Sequence, residues 1–141
     1  MIWRPMGEAD LDAVAAVALE AFPDHFEGRD CFANRLALNP RGCFVLEVEG
    51  AVAGYLVAYP WTRDAVPALN TLLDALPERP EVLYLHDLAL ATSARGRGAT
   101  REIVERLAAQ GAADGWSALT LVAVNDAAGF WRRHGFEPRE T

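Results

Sequence analysis

The stretch ARGRGATRE, residues 94–102, places three arginines and two glycines together in a chain whose formal net charge is −7. It follows an apolar segment, LYLHDLAL (83–90), and leads into a helical pattern that puts Ile103, Val104 and Leu107 on one face. A helix start offers unpaired backbone N–H groups and the positive end of the helix dipole, and glycines let a ligand approach the backbone closely. A strand, a glycine loop and a helix in this order therefore predict an anion site, most often for phosphate.

Two common phosphate-binding motifs do not fit this loop. A Walker loop ends in Gly-Lys-Ser/Thr, whereas the 13 basic residues of this chain are all arginines. A dinucleotide fingerprint needs a third glycine after the first strand, but Arg101 stands at that place after Gly96 and Gly98, and the strand is not the first. The alternative interpretation is an ordinary helix start with solvated arginines.

The composition is that of one soluble domain. The chain has 141 residues, 52% of them hydrophobic, which is enough to bury a core. No apolar run is long enough to span a membrane, and the segment 1–12 does not resemble a signal peptide, so we expect a cytoplasmic protein with no membrane partner. The acidic balance argues against a nucleic-acid partner and suits a cationic substrate, although many proteins are simply acidic. Cys31 and Cys43 match neither a disulfide framework nor a zinc pattern, so no metal is expected.

Hydrophobic periodicity predicts a single mixed α/β domain with the order β-α-α-β-β-β-α-β-α-β. The predicted strands are 1–6, 43–48, 52–59, 83–90, 117–124 and a last one from 136. The predicted helices are 8–22, 27–39, one from about 98, and a short one within 125–135. The connection 62–82 is expected to contain one or two helical turns.

The segment LHDLALATSARGRGAT (85–100) resembles motif A of the GNAT superfamily of N-acetyltransferases. In that motif a [QR]-x-x-G-x-[GA] loop binds the pyrophosphate of acetyl-CoA through backbone amides. Arg95 and Gly98 match, whereas Thr100 stands where Gly or Ala is usual. The segment AVNDAAGFWRRHGF (123–136) resembles the later motif of the same superfamily, and the element order agrees over nearly the whole chain.

The resemblance implies a mixed, mostly antiparallel sheet flanked by helices, with acetyl-CoA as cosubstrate. It assigns cofactor binding to the end of the strand, the loop, the helix start and the later motif: Leu88, Ala89, Leu90, Arg95, Gly96, Arg97, Gly98, Ala99, Thr100, Asn125, Phe130 and Trp131. The superfamily closes with two strands, but only five residues follow Phe136. We therefore expect a shortened C-terminal end, or an edge that a second copy covers in a homodimer.

His86 and Asp87 are the candidate catalytic residues because they lie inside an apolar strand. Side chains alternate along a strand, so one is expected to face the pocket and the other to face away, unless a bulge intervenes. The strand is similar to one in serotonin N-acetyltransferase, where a histidine two residues before the Leu-Ala run relays the amine proton through water. His86 holds that position, and histidine suits a base at neutral pH. The alternatives are a structural histidine and, for Asp87, either an orienting charge or a loop cap.

Trp131 departs from the superfamily at the position of the general acid. Many members have a tyrosine there, near the sulfur of CoA, whereas an indole N–H does not ionise usefully. The thiolate is then protonated by water, leaves unassisted, or uses another residue. Tyr84 shares a strand face with His86 and is expected to be a core or pocket-wall residue.

The resemblance places the acceptor site between the first two helices and the loop after the third strand. These segments, 22–28 and 59–64, hold aromatic and acidic residues that suit an amine cation: Asp24, His25, Phe26, Glu27, Trp61 and Asp64. We expect direct transfer of an acetyl group to a small, cationic amine. The alternatives are a protein or peptide N-acetyltransferase and, from another class, an acyl-CoA-binding module without transfer activity.

Overall fold

A computed structural model describes residues 1–24, 27–63, 65, 67–68, 70–122 and 128–137, with only the backbone described at Ala128. These residues contain a five-stranded sheet in the order β1-β2-β3-β4-β5. The strands are β1 Ile2–Pro5, β2 Cys43–Val48, β3 Ala51–Trp61, β4 Val82–Leu90 and β5 Leu119–Thr120. The helices are α1 Leu11–Ala21, α2 Arg29–Leu38, α3 Ala99–Ala113 and α4 Ala128–Arg133. Strands β1 to β4 pair antiparallel and β5 pairs parallel to β4, which confirms the predicted mixed, mostly antiparallel sheet.

The two faces of the sheet bury two separate cores. Helices α1 and α2 cover one face, where Phe32 packs edge-on against Tyr55 with ring centroids 4.9 Å apart. Helix α3 covers the other face, with Ile103 and Leu107 buried against Leu56. Because β3 is central, its residues are buried on both faces, and alternate side chains enter alternate cores.

A two-residue turn joins β2 and β3, as the sequence predicts. Glu49 and Gly50 both have positive φ, 51° and 81°, which is the conformation of the tight hairpin turn that matches strand twist. The pairing of Val48 with Ala51 closes this turn. The register from that point brings Tyr55 and Val57 to the face that α1 and α2 cover.

The connection between β3 and β4 contains no helix among its described residues, so the expected helical turns are wrong there. Prolines at 67, 77 and 80 each remove a backbone donor. The connection is held instead by α2, because the Asn34 side chain accepts from Leu73 N (2.8 Å) and donates to Leu73 O (2.9 Å).

The C-terminal elements lie within their predicted ranges. Strand β5 covers Leu119–Thr120, and the other described residues of the predicted 117–124 are not in a strand, whereas 123–124 lie outside the described residues. Helix α4 covers Ala128–Arg133, within the predicted 125–135. Among the described residues, the pairing of β4 with β5 extends to Tyr84, two residues before a bulge in β4. Phe136 and Glu137 are not in a strand, and the remainder of the predicted last strand lies outside the described residues. Within the described chain, no helix is long and apolar enough to cross a membrane.

Candidate active site

A bulge in β4 turns His86 and Asp87 toward the same face of the sheet. Val57 on β3 lies opposite Asp87 and the next residue, Ala58, lies opposite Leu85, so His86 is the extra residue without an opposite partner. A bulge re-aims the side chains that follow it. Both side chains consequently face α1 and α2, and the simple alternation expected for the strand does not hold.

Glu27, in the loop between α1 and α2, fixes the ring of His86. Its Oε1 lies 2.5 Å from His86 Nε2, and its Oε2 accepts the backbone N–H of Asn70 at 3.1 Å. The Glu27 side chain is 3% exposed and that of His86 is 8% exposed. Burial opposes ionisation of Glu27, but the hydrogen bond and charge of His86, together with the charge of Arg35, lower its pKa below the ordinary value.

This pairing determines which ring nitrogen of His86 carries the proton. An ionised carboxylate only accepts hydrogen bonds, so Nε2 must be the donor to Glu27. In the neutral ring Nδ1 then carries the lone pair, and this atom is buried with no hydrogen-bond partner among the described residues. The neutral form of His86 would therefore present Nδ1 as a basic nitrogen.

Asp87 accepts a hydrogen bond from the Tyr55 hydroxyl at 2.6 Å. Burial raises the pKa of Asp87 from 3.8 to about 6, against the lowering effect of the Tyr55 bond and of the His86 charge. Burial also raises the pKa of Tyr55 well above its ordinary value, with the Asp87 charge adding to the effect. At neutral pH this site thus holds a partly buried negative charge beside His86.

Three further side chains around His86 have buried polar atoms without partners among the described residues: Arg35 (Nε and Nη2), Tyr59 (the hydroxyl) and Trp61 (Nε1). The ring of Tyr59 lies 5.5 Å from those of His86 and Trp61, and the Arg35 guanidinium carbon lies 5.8 Å from it. The group contains several donors and, apart from the hydroxyl, no acceptor.

A cavity of about 300 Å³ lies between the end of α1, the second half of β4, the glycine loop and α4. Its walls include eight of the twelve residues predicted to bind the cofactor, namely Leu88, Ala89, Leu90, Arg95, Gly96, Thr100, Phe130 and Trp131. Ala21 and Phe22 of the α1 end complete the wall, and sequence reasoning did not assign them. Among the described residues, β5 pairs with β4 as far as Tyr84, and the residues 123–127 that follow in the chain lie outside the described residues.

The glycine loop has the conformation that an anion site requires. Gly96 and Gly98 have φ of 76° and 78°, in the left-handed region, and a Cβ at either position would meet nothing within 4 Å. Gly98 is the N-cap of α3, and no side chain caps the helix start that Ala99 opens. The Arg95 side chain folds back so that Nε donates to Leu90 O at 3.2 Å. The first backbone N–H groups of an α-helix have no partner within the helix, so a ligand could accept hydrogen bonds from them.

Three of the remaining predicted residues, Arg97, Gly98 and Ala99, do not line this cavity. Arg97 is exposed and does not line the wall. Asn125 lies outside the described residues, as do His25, Phe26 and Asp64 of the expected acceptor site. In the described ranges, no three His, Cys, Asp or Glu side chains are grouped so that they could hold a metal ion.

Sequence reasoning missed Arg35, although a signal for it was present. Cys31, Phe32, Arg35 and Leu36 are buried at spacings of one turn on α2. An arginine on the apolar face of a helix is unusual, because charged residues are rarely buried without a partner. The Glu27–His86 contact was not predictable in this way, because the two residues are 59 positions apart.

Comparisons with known proteins agree with this geometry. The sequence profile described as "Acetyltransferase (GNAT) family" matches residues 10–136. Among solved structures, the GphF GNAT-like decarboxylase in complex with isobutyryl-CoA has a TM-score of 0.77 and 25% identity, over 97% of this chain and 73% of that one. No match was found among curated proteins.

Two other solved structures share the fold at lower identity. A GNAT family acetyltransferase from Brucella melitensis in complex with acetyl-CoA has a TM-score of 0.66 and 18% identity, over 97% of this chain and 82% of that one. The aminoglycoside 6'-N-acetyltransferase AAC(6')-IG from Acinetobacter haemolyticus has a TM-score of 0.73 and 14% identity, over 100% and 94%. Structures in this group have different substrates, so the shared fold does not identify the acceptor.

Proposed function

Because this chain belongs to the acetyltransferase (GNAT) family, we propose that it transfers the acetyl group of acetyl-CoA directly to the amine of a small substrate. The proposed cofactor site is the cavity beside β4, where Arg95 and Gly96 lie at one end and Phe130 and Trp131 at the other. The open helix start behind Gly98 suits the pyrophosphate. The second half of β4, which lines the cavity at Leu88, Ala89 and Leu90, suits the pantetheine arm, and a backbone N–H of this segment is proposed to polarise the thioester carbonyl.

The observation that carries this proposal is the free Nδ1 of His86, because acyl transfer to an amine requires a base. Glu27 holds the proton on Nε2 and thereby keeps the lone pair on Nδ1. As Nδ1 accepts the proton of the amine, the ring becomes positively charged, and the adjacent Glu27 carboxylate stabilises that charge. Glu27 is thus a positioning residue, and His86 is the proposed catalytic base.

Asp87 is proposed to attract the amine as an ammonium ion before it is deprotonated. Its carboxylate lies on the same sheet face as His86. An opposite charge held in a partly buried site attracts a cation more strongly than the same charge in water would.

No tyrosine on β3 or β4 is suited to protonate the thiolate. Burial raises the pKa of Tyr84 to about 12 and raises those of Tyr55 and Tyr59 as well, so each is a weaker acid than a free tyrosine. Trp131 lines the cavity but does not ionise. We therefore propose that water protonates the thiolate, or that it leaves unassisted.

Trp131 also supports a second candidate, an acyl-CoA-binding module without transfer activity. The two candidates share the cofactor site and differ only in turnover. A shift in thermal stability with acetyl-CoA, using ATP and NAD as controls, tests the shared site. A ligand at 100 times its Kd stabilises the folded state by about 2.7 kcal/mol, which is easily visible.

His86→Ala tests the proposed reaction. In a screen of small amines and peptides, we expect turnover by the wild type and a loss of about 10²- to 10⁴-fold in kcat for His86→Ala. The acetyl-CoA shift should persist in the variant, because His86 does not line the cofactor cavity. Turnover that is unchanged in His86→Ala between pH 6 and pH 9 would rule out the base, and binding without any turnover would favour the module.

A further inference from the structure

We propose that Arg35, Tyr59 and Trp61 form a subsite that binds a carboxylate group of the substrate beside His86. This inference rests on the proposed function, because it names the chemical class of the molecule that reacts at that site. The substrate would then carry an anionic group in addition to the reacting group.

The guanidinium of Arg35 is buried and only partly satisfied. The residue is 2% exposed, and Nη1 donates to Thr71 O at 2.5 Å and to Asn34 Oδ1 at 3.1 Å. Nε and Nη2 have no partner among the described residues. An arginine in a folded protein stays charged, and its planar fork matches the two oxygens of a carboxylate.

The buried carboxylates of the site form their hydrogen bonds with other groups. Glu27 is close enough for its pKa to be lowered by the Arg35 charge, but its hydrogen bonds come from His86 Nε2 and Asn70 N, and none comes from Arg35. Asp87 accepts from the Tyr55 hydroxyl. Within the described chain, Arg35 forms no ion pair with a carboxylate, and none of the described residues accepts from its Nε or Nη2.

Two further donors lie on the neighbouring strand β3. The Tyr59 hydroxyl and Trp61 Nε1 are both buried without partners in the part of the chain that the structure describes, and their rings are 5.5 Å apart. Tyr59 connects the group, because its ring contacts the Arg35 guanidinium on one side and the His86 ring on another. The charge of Arg35 and a side-chain hydrogen bond from it oppose the rise that burial causes in the pKa of Tyr59, so these two groups are close to each other. One hydroxyl cannot also satisfy the remaining donors of Arg35 and Trp61 Nε1. Buried polar groups are normally hydrogen-bonded, so these donors indicate a ligand rich in acceptors.

A carboxylate is the ligand that fits this combination. It presents two acceptor oxygens and one negative charge to a buried cation with spare N–H groups. Two sources share this chemistry. One is an acceptor that bears both an amine and a carboxylate, as an amino acid does, and the other is an acyl group that carries its own carboxylate, as malonyl-CoA does.

Calorimetric binding tests both sources without requiring turnover. In the first arm, the protein saturated with CoA is titrated with glycine, β-alanine and 4-aminobutyrate, and with methylamine, ethylamine and propylamine as partners that lack the carboxylate. In the second arm, the free protein is titrated with malonyl-CoA and with acetyl-CoA. We expect at least tenfold tighter binding of the carboxylate-bearing ligand in one arm, and that arm identifies the source.

The variants separate the subsite from general effects on folding. Tyr59→Phe and Trp61→Phe keep an aromatic ring while removing one donor each, and Arg35→Lys keeps the charge while losing the fork. The carboxylate preference is the ratio of the Kd of the ligand without the carboxylate to the Kd of its carboxylate-bearing partner. Each variant should reduce this ratio at least tenfold. Arg41→Met, which removes an exposed arginine paired with Asp114, should leave it unchanged.

Equal binding of both members of each pair would overturn the inference, as would a preference that all three subsite variants retain. Failure of the proposed function is a different result, because it appears as absent turnover with any amine. A carboxylate preference that depends on Tyr59 would stand even then, since it is measured by binding alone.

Discussion

Replacement of Asp87 by asparagine tests whether the ionised carboxylate of Asp87 destabilises the folded protein. Burial raises the pKa of Asp87 from 3.8 to about 6. The folded protein therefore holds this proton more tightly than the unfolded chain does, and its stability falls as the pH rises between these two values. At about 1.4 kcal/mol for each tenfold change in proton affinity, the ionised carboxylate destabilises the fold by about 3 kcal/mol above pH ~6.

Asparagine keeps the oxygen that accepts the Tyr55 hydrogen bond but removes the charge. We expect Asp87→Asn to be more stable than the wild type at pH 7.5, by up to about 3 kcal/mol. The gain should shrink as the pH falls through 6 and vanish below about 4, where the wild-type carboxyl is protonated in both states. Urea unfolding of both proteins at several pH values measures this difference.

Asp114→Asn is the matched control, because the hydrogen bond and charge of Arg41 lower the pKa of this exposed carboxylate. The ionised Asp114 carboxylate stabilises the fold at pH values above its ordinary pKa, so Asp114→Asn should not raise the free energy of unfolding at pH 7.5. A gain in Asp87→Asn that does not change with pH would refute the reasoning, as would a loss at every pH. We also expect Asp87→Asn to raise the KM for the amine, because the stored charge is the proposed attraction for ammonium.

Two further predictions concern the glycine loop. Gly98→Ala and Gly50→Ala should each lower the stability by about 1–2 kcal/mol, since both glycines have positive φ. Only Gly98→Ala should reduce the rise in thermal stability that acetyl-CoA causes, because Gly50 lies in the hairpin turn. If both variants reduced the acetyl-CoA shift equally, backbone strain alone, rather than the position of Gly98 in the loop, would explain the weaker cofactor binding. Arg95→Ala should weaken acetyl-CoA binding about 10-fold or more in low salt, because Arg95 lines the cavity. Arg97→Ala should have a smaller effect, and calorimetry that gives the reverse order would contradict the assignment.

The fold was predictable because its signals are local. The hairpin at Glu49 and Gly50 and the apolar stripe of α3 each occupy one short window of the sequence. The helical turns expected in the connection to β4 did not form, because prolines and the Asn34 side chain favour another backbone path.

The site was predictable only in part, because its decisive features are non-local. The cavity is lined by eight of the twelve residues that the two motifs identified. The bulge at His86 depends on the register between β3 and β4, which neither strand specifies alone. The contact of His86 with Glu27 needs the whole domain to bring the two residues together.

Net charge and buried charge act over different distances at this site. A net charge of −7 produces a weak field that salt screens beyond about 8 Å, and it favours the approach of any cation. The buried Arg35, close enough to Glu27 to lower its pKa, acts where screening is weak, and the proposed subsite would use this charge to discriminate between substrates. If Asp87 attracts an ammonium group and Arg35 binds a carboxylate, as proposed, one zwitterionic substrate could satisfy both side chains. The net charge of the chain alone would have indicated only a cationic substrate.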